Sequence, residues 1–289
     1  MEETIQALLS IDCGIAVTRV ALLERGEDRY RQIAQATATS TCTPPWRNVM
    51  VGVLDAIRRL EAESGRRLLN GDDSLRQPAL GGEGVDAVTV VVSAAEPLRV
   101  ALAGLTRDVS LAAARRALAA THAVAVHQIA LDAGVVYDDV ARLIAGLQAA
   151  HPDVLLLTGG FDGGAHDPVL NLAHILSLAL RAMPASLRPH VLYAGNSDLR
   201  PQIAPLFGDI TDFKSLDNLT PTPKRQNLLP LQNELDVLYH DCCLKRLPGF
   251  DRLEKWAANR IVSTAKSFAQ SIHFLSRNYN IRVLGADMG

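Results

Sequence analysis

The stretch "LLSIDCGIAVTRVALLE", Leu8 to Glu24, alternates apolar and other residues on both sides of a short turn. It predicts two strands, Leu8–Ile11 and Val17–Leu23, joined by a hairpin with Asp12 and Gly14 at its mouth and Thr18 and Arg19 just beyond. An acid and a glycine at the end of an apolar strand admit two readings. The turn closes a hairpin, or it wraps a phosphate, because glycine lets backbone N–H groups approach an anion without a Cβ in the way.

Working outward, "YRQIAQATA" (Tyr30–Ala38) alternates as a third strand and "TCTPPW" breaks the chain. A helix follows from Trp46, with Val49, Val53, Ile57 and Leu60 on one face and Gly65 as its stop. The polar, Gly- and Asp-rich segment 69–84 reads as a surface loop. "DAVTVVVS" (Asp86–Ser93) is a β-branched run of the kind found in strands covered on both faces.

Beyond it strand and helix alternate. "LRVALAGL", "VHQIAL", "PDVLLLTGG" and "HVLYAGN" read as strands. Between them lie helices capped by Ser110, by Asp138 and by Asp167 with Pro168 in its first turn. The Asp138 helix places Val140, Leu143, Ile144 and Leu147 on one side. This rhythm predicts a parallel sheet with helices on both faces. After the connection "NLTPTPKRQN", apolar residues recur at helical spacing through Leu231, Leu235, Leu238 and Cys242, then through Phe268, Ile272 and Leu275. "IRVLGADMG" closes as a strand. The expected division is 1–95, 96–222 and 223–289.

With 289 residues and 48% hydrophobic content, the chain can bury a large core, which excludes global disorder. Its formal charge of −2, with both signs interspersed, gives no nucleic-acid face or polybasic membrane patch. Cys13, Cys42, Cys242 and Cys243 form no CxxC pair. That usage fits a reduced, cytoplasmic protein, and the acidic N-terminus lacks a secretion signal's basic region. His240 with Cys242 and Cys243 could bind a metal, but Cys242 also fits the apolar stripe of its helix. Ser93 lacks a GxSxG context, so a hydrolase triad is not supported.

Three glycine turns end strands: "IDCGIA", "TGGFDGGAHD" and "YAGN". In open parallel sheets ligands bind beyond such ends. Each turn is either a ligand loop or an ordinary strand-to-helix connection.

The first turn resembles the first phosphate motif of the actin, sugar-kinase and Hsp70 ATPase superfamily. More specifically, seven pieces in order resemble the glutamate mutase accessory family called MutL, distinct from the mismatch-repair protein of that name. They are "IDCGIAVTR", "SAAEPLRVALAGL", "PDVLLLTGGFDGGA", "YAGN", "DNLTPTPKRQNLLP", "VSTAKSFAQSI" and "VLGADMG". The resemblance implies a ribonuclease H-like (actin-like ATPase) lobe combined with a doubly wound parallel α/β region and C-terminal helices. It implies an ATP-using repair or assembly factor for coenzyme-B12-dependent mutases, with the mutase subunits as partners. ATP or ADP with Mg²⁺ would be the cofactors, and nothing in the sequence assigns a direct cobalamin contact.

By resemblance, Asp12, Gly14, Thr18 and Arg19 form the first phosphate loop, with Asp12 holding Mg²⁺ through water. Gly159, Gly160, Asp162, Gly163 and Gly164 match a "GGTDGG" segment, and Gly195 and Asn196 match "AGN". Asp287 and Gly289 match the opening of a second phosphate motif, so the chain is expected to be the N-terminal part of a longer protein, inactive as an ATPase alone. Ile15 stands where ATP-binding relatives place Ser or Thr, and Glu96 and Pro97 replace a glycine pair. Two other readings stay open: an interaction module that kept the fold and lost the nucleotide, and a small-molecule kinase of the same superfamily.

Overall fold

The computed structural model describes residues 5–27, 29–133 and 140–286. The chain divides into two units, one of residues 1–96 with 240–289 and one of residues 97–239.

In the first unit, β1 (Ala7–Cys13), β2 (Val17–Arg25) and β3 (Tyr30–Thr39) form an antiparallel meander. Helix α1 (Val49–Ser64) returns the chain so that β4 (Ala87–Val92) lies parallel to β1, giving the order β3-β2-β1-β4. This order is that of the ribonuclease H-like lobe which the family resemblance implies. Alternation decides which face is covered. Leu9, Ile11 and Cys13 are fully buried with Val20 and Leu22 of β2, whereas Ser10, Asp12 and Arg19 lie on the other face.

Helix α1 packs Val53, Ile57 and Leu60 on β2 and β3, each such side chain worth about 1.5–3 kcal/mol of burial. Asn48 caps its start by accepting from Met50 N–H at 2.9 Å, and Gly65 ends it in the left-handed region (φ 70°), as expected. Asp86 ties down the start of β1, accepting from Gln6 N–H at 2.8 Å and Ala7 N–H at 2.9 Å.

In the second unit every strand is parallel. β5 (Leu98–Gly104), β6 (Ala123–Ala130), β7 (Val154–Thr158), β8 (His190–Tyr193) and β9 (Phe213–Ser215) lie in the order β6-β5-β7-β8-β9. Helices α3 (Val140–Ala150), α4 (Asp167–Ala182) and α5 (Arg200–Phe207) pack side by side on one face. Right-handed crossovers put α2 (Ala112–Leu118) on the other. Leu143, Leu147, Leu172, Leu176, Ile203 and Phe207 fill the core under the three-helix face.

Some expected boundaries move. A turn of π-helix (Arg107–Leu111) precedes α2, and Thr106 rather than Ser110 caps it, because Thr106 Oγ1 accepts from Ser110 N–H at 3.4 Å. Asp167 is the first residue inside α4, after His166, whose side chain makes no cap bond. Asp138 lies outside the described residues.

Helix α6 (Leu229–Cys242) carries the chain back to the first unit, where α7 (Phe250–Trp256) and α8 (Thr264–Tyr279) follow. His240, the metal candidate, instead lies 3.1 Å from both the Glu254 and the Asp241 carboxylates, edge-on to Phe250. The closing strand is not seen among the described residues, where 281–286 have no ladder partner. Instead Gly285 lies against Ile272 and Phe268, so close that a Cβ would come within 2.6 Å of Ile272 Cδ1. Asp287 and Gly289 lie outside the described residues.

Candidate functional site

The predicted site residues that lie among the described residues fall into two groups, one on each unit. The first is the hairpin turn between β1 and β2. Gly14 N–H bonds Val17 O at 3.1 Å, and a Cβ on Gly14 would sit 2.9 Å from that oxygen, which explains the glycine. Thr18 is buried, with its hydroxyl 2.9 Å from Ser40 Oγ, and Ser40 donates to Gly14 O at 2.6 Å. The Thr18 hydroxyl therefore braces the turn from inside. Ser40, in the serine-threonine run after β3, is the brace that sequence reasoning missed.

Asp12 and Arg19 face the other way, directly opposite each other in register, with Arg19 Nη1 3.5 Å from Asp12 Oδ2. The second carboxylate oxygen, Asp12 Oδ1, is buried and has no hydrogen-bond partner. A buried charged acceptor without a partner is costly, and such atoms call for a water or an ion. Beside them a hollow of about 280 Å³ is lined by Ser10, Asp12, Arg19, Ala21, Gln35 and Thr37. Asp12 is the one carboxylate of this lining and sits beside the Arg19 guanidinium, and Mg²⁺ keeps most of its water and takes one or two carboxylates besides phosphate oxygens. Ile15 stands at the tip, 58% exposed, and offers no hydroxyl. The Cys13 thiol is fully buried at this turn, and burial with the neighbouring Asp12 pushes its pKa far above the ordinary value.

The second group lies at the carboxyl edge of the parallel sheet, after β7 and β8. Gly159, Gly160 and Gly163 have φ of 137°, 74° and 71°, which L side chains rarely adopt. Gly195 fits so closely that a Cβ would lie 2.5 Å from Gly159 O, while Asn196 N–H donates to that same carbonyl at 3.0 Å.

Asp162 Oδ1 accepts from Ser197 N–H at 2.9 Å and from Asn218 Nδ2 at 2.9 Å. Burial pulls its pKa up, but these bonds outweigh it and hold the carboxyl below its ordinary value. Asn218 also reaches Gly160 O at 3.0 Å, and Asp198 accepts from Gly163 N–H at 3.1 Å. Gly164 N–H bonds Phe161 O at 2.9 Å. These polar groups bond one another, with one exception: Asn196 Nδ2 is buried and has no partner. Asn218, Ser197 and Asp198 were missed as members of this cluster. Only the motif "DNLTP" marked Asn218 out.

No curated protein matches the chain. Among solved structures, a glycerol dehydratase reactivase aligns at 13% identity and a TM-score of 0.20, over 74% of this chain and 31% of that one. The Aquifex aeolicus PPX-GPPA enzyme aligns at 13% identity and a TM-score of 0.19, over 66% of this chain and 68% of that one. A further structure of the Aquifex aeolicus Ppx/GppA family member gives 11% identity, a TM-score of 0.19 and coverage of 66% on both sides. At such scores the likeness carries no weight, and the fold rests on its own strand order. The family is decided by sequence: residues 8–289 match the family model described as MutL protein, and the chain belongs to that family, the glutamate mutase accessory family its ordered motifs resemble.

Proposed function

We propose that this chain serves a coenzyme-B12-dependent mutase as a cytoplasmic, ATPase-type repair or assembly factor, and that it takes Mg²⁺-nucleotide at the Asp12 turn. The observation that carries this reading is the unpartnered Asp12 Oδ1, next to Arg19 at the carboxyl end of β1. Asp12 would hold a hydrated Mg²⁺ and Arg19 would balance phosphate charge, with Gly14 keeping the turn tight enough for close approach. The metal would neutralise the charge of the phosphates. Hydrolysis needs positioned groups on both sides of the phosphate, so binding rather than turnover is the activity assigned to these residues.

A second reading, a docking module without nucleotide, is favoured by Ile15 at the tip and by the Thr18 hydroxyl bonding inward to Ser40. Calorimetric titration of Mg²⁺-ATP and Mg²⁺-ADP separates the two. Heat that saturates with magnesium and vanishes in Asp12→Ala supports the nucleotide reading. A flat titration at millimolar ligand leaves the docking module.

A further inference from the structure

The row of side chains through Asp12 does not stop at Arg19. Arg19 of β2 pairs in turn with Thr37 of β3, and one step back Ser10 pairs with Ala21 and Ala21 with Gln35. All six lie inside strands, so these cross-strand neighbours share a face, and all six line the hollow beside Asp12. Ala21, with a single methyl group, gives the middle of the floor its depth.

Strand β3 is shaped for this position. Its pairing with β2 shifts between Leu22 and Leu23, where Ile33 is the extra residue of a bulge, and bulges re-aim the side chains around them. The shift brings Gln32 onto the face of Gln35, and Gln32 Nε2 donates to Gln35 Oε1 at 3.2 Å. With that oxygen engaged, Gln35 offers its Nε2 as a donor. Arg59 of α1, paired with Asp55 at 2.8 Å, donates to Thr37 O at 3.1 Å and holds the strand there. The Thr37 and Ser10 hydroxyls bond nothing among the described residues.

The hollow thus presents a guanidinium, an amide N–H and two hydroxyls around one carboxylate oxygen without a partner. Many donors beside one carboxylate suit a multiply charged oxyanion that arrives with its cation. The volume of about 280 Å³ is that of roughly nine water molecules in the liquid. It lies just below the roughly 300–1,000 Å³ of sites that enclose a whole drug-sized molecule.

We propose that this hollow takes the Mg²⁺-bound diphosphate group of its ligand, with Thr37 Oγ1 and Gln35 Nε2 donating to phosphate oxygens and no contact to base or sugar required. Strand β3 would supply the donors that Ile15 lacks and that Thr18 directs to Ser40. The assignment rests on the reading of Asp12 as the holder of a hydrated cation, and the diphosphate can come from a nucleotide or from free pyrophosphate.

Mg²⁺-ADP, Mg²⁺-pyrophosphate and adenosine are titrated by calorimetry into the chain and into its T37V, T37S, Q35E and D12A variants. ADP and pyrophosphate are expected to bind within about tenfold of each other, and adenosine to give no heat. T37V should bind both roughly tenfold more weakly, T37S should recover, and Q35E, which sets a carboxylate where the amide donated, should bind more weakly still. Both side chains are exposed, so the melting temperatures of these variants should stay where they are. Unchanged affinity in T37V and Q35E, alongside lost affinity in D12A, overturns the β3 wall and leaves the Asp12 site standing. Adenosine binding as tightly as ADP overturns the diphosphate class. Pyrophosphate binding without ADP binding keeps the hollow and removes the nucleotide reading, and no binding of either at millimolar ligand removes both.

Discussion

The Asp12 turn and the Asp162 loop are spelled in nearly the same letters, an aspartate among glycines after a buried strand, yet their polar atoms go to opposite uses. Asp162 gives one oxygen to a backbone N–H and a side-chain amide from two other loops, and its glycines adopt angles that let those loops interlock. Asp12 has one weak contact to an exposed arginine and one buried oxygen that bonds nothing. Accounting for the two carboxylates therefore separates an aspartate that ties its own loop together from one with a buried oxygen to spare, while Asn196 Nδ2 is the one buried side-chain amide of the second group that bonds nothing. The motif letters alone do not separate the two aspartates.

The contrast is most easily broken in the second unit. Gly195→Ala drives a Cβ to 2.5 Å from the Gly159 carbonyl, a backbone atom that cannot step aside. A loss of about 3 kcal/mol in urea unfolding is expected, and an unchanged midpoint would mean the loops are not interlocked. Asp162→Ala leaves Ser197 N–H and Asn218 without their acceptor. Because the carboxylate is exposed, the cost is about 1–2 kcal/mol, with nucleotide affinity untouched.

Acid sharpens the same point. The folded Asp162 pKa lies below its ordinary 3.8, so its stabilisation is fully present above that value and is lost as pH falls through the lower folded one. Asp162→Asn should therefore show a shallower loss of stability than the unmodified chain between pH 4 and more acidic solution. An identical acid profile would remove Asp162 from the account of that loop.

On the first unit smaller effects are expected. Ser40→Ala removes the brace under Gly14 O and Thr18, costing about 1 kcal/mol by thermal unfolding. Asp12→Asn should move stability by less than about 0.5 kcal/mol, since its ion pair is exposed and long. It should nevertheless abolish magnesium-dependent nucleotide binding. A clearly destabilised Asp12→Asn would turn Asp12 into a structural residue.

Much of the fold was legible in the sequence because it is written in local periods. Alternation from Leu8 to Glu24, the β-branched run Ala87–Val92, and the glycines after β7 and β8 named most strands and their ends. The return of the C-terminal segment to the first sheet was not legible. It rests on backbone bonds, Ala258 N–H to Val88 O and Val92 N–H to Val262 O, and these have no side-chain signature. The closing strand failed for the converse reason, since residues 281–286 have strand composition but no described neighbour to pair with.

The site was legible only as candidates. Thr18 looked like a phosphate hydroxyl because nothing in sequence says that Ser40 lies 2.9 Å away. Asp162 looked free because Asn218, its partner, is 56 residues on.

Amide chemical-shift mapping of the isotopically labelled chain during titration with Mg²⁺-ADP tests the central contrast most directly. The account predicts shifts concentrated at Asp12–Arg19, with Gly159–Gly164 and Asn196 unmoved. Shifts at Gly159–Gly164 and Asn196, with Asp12–Arg19 silent, would contradict it.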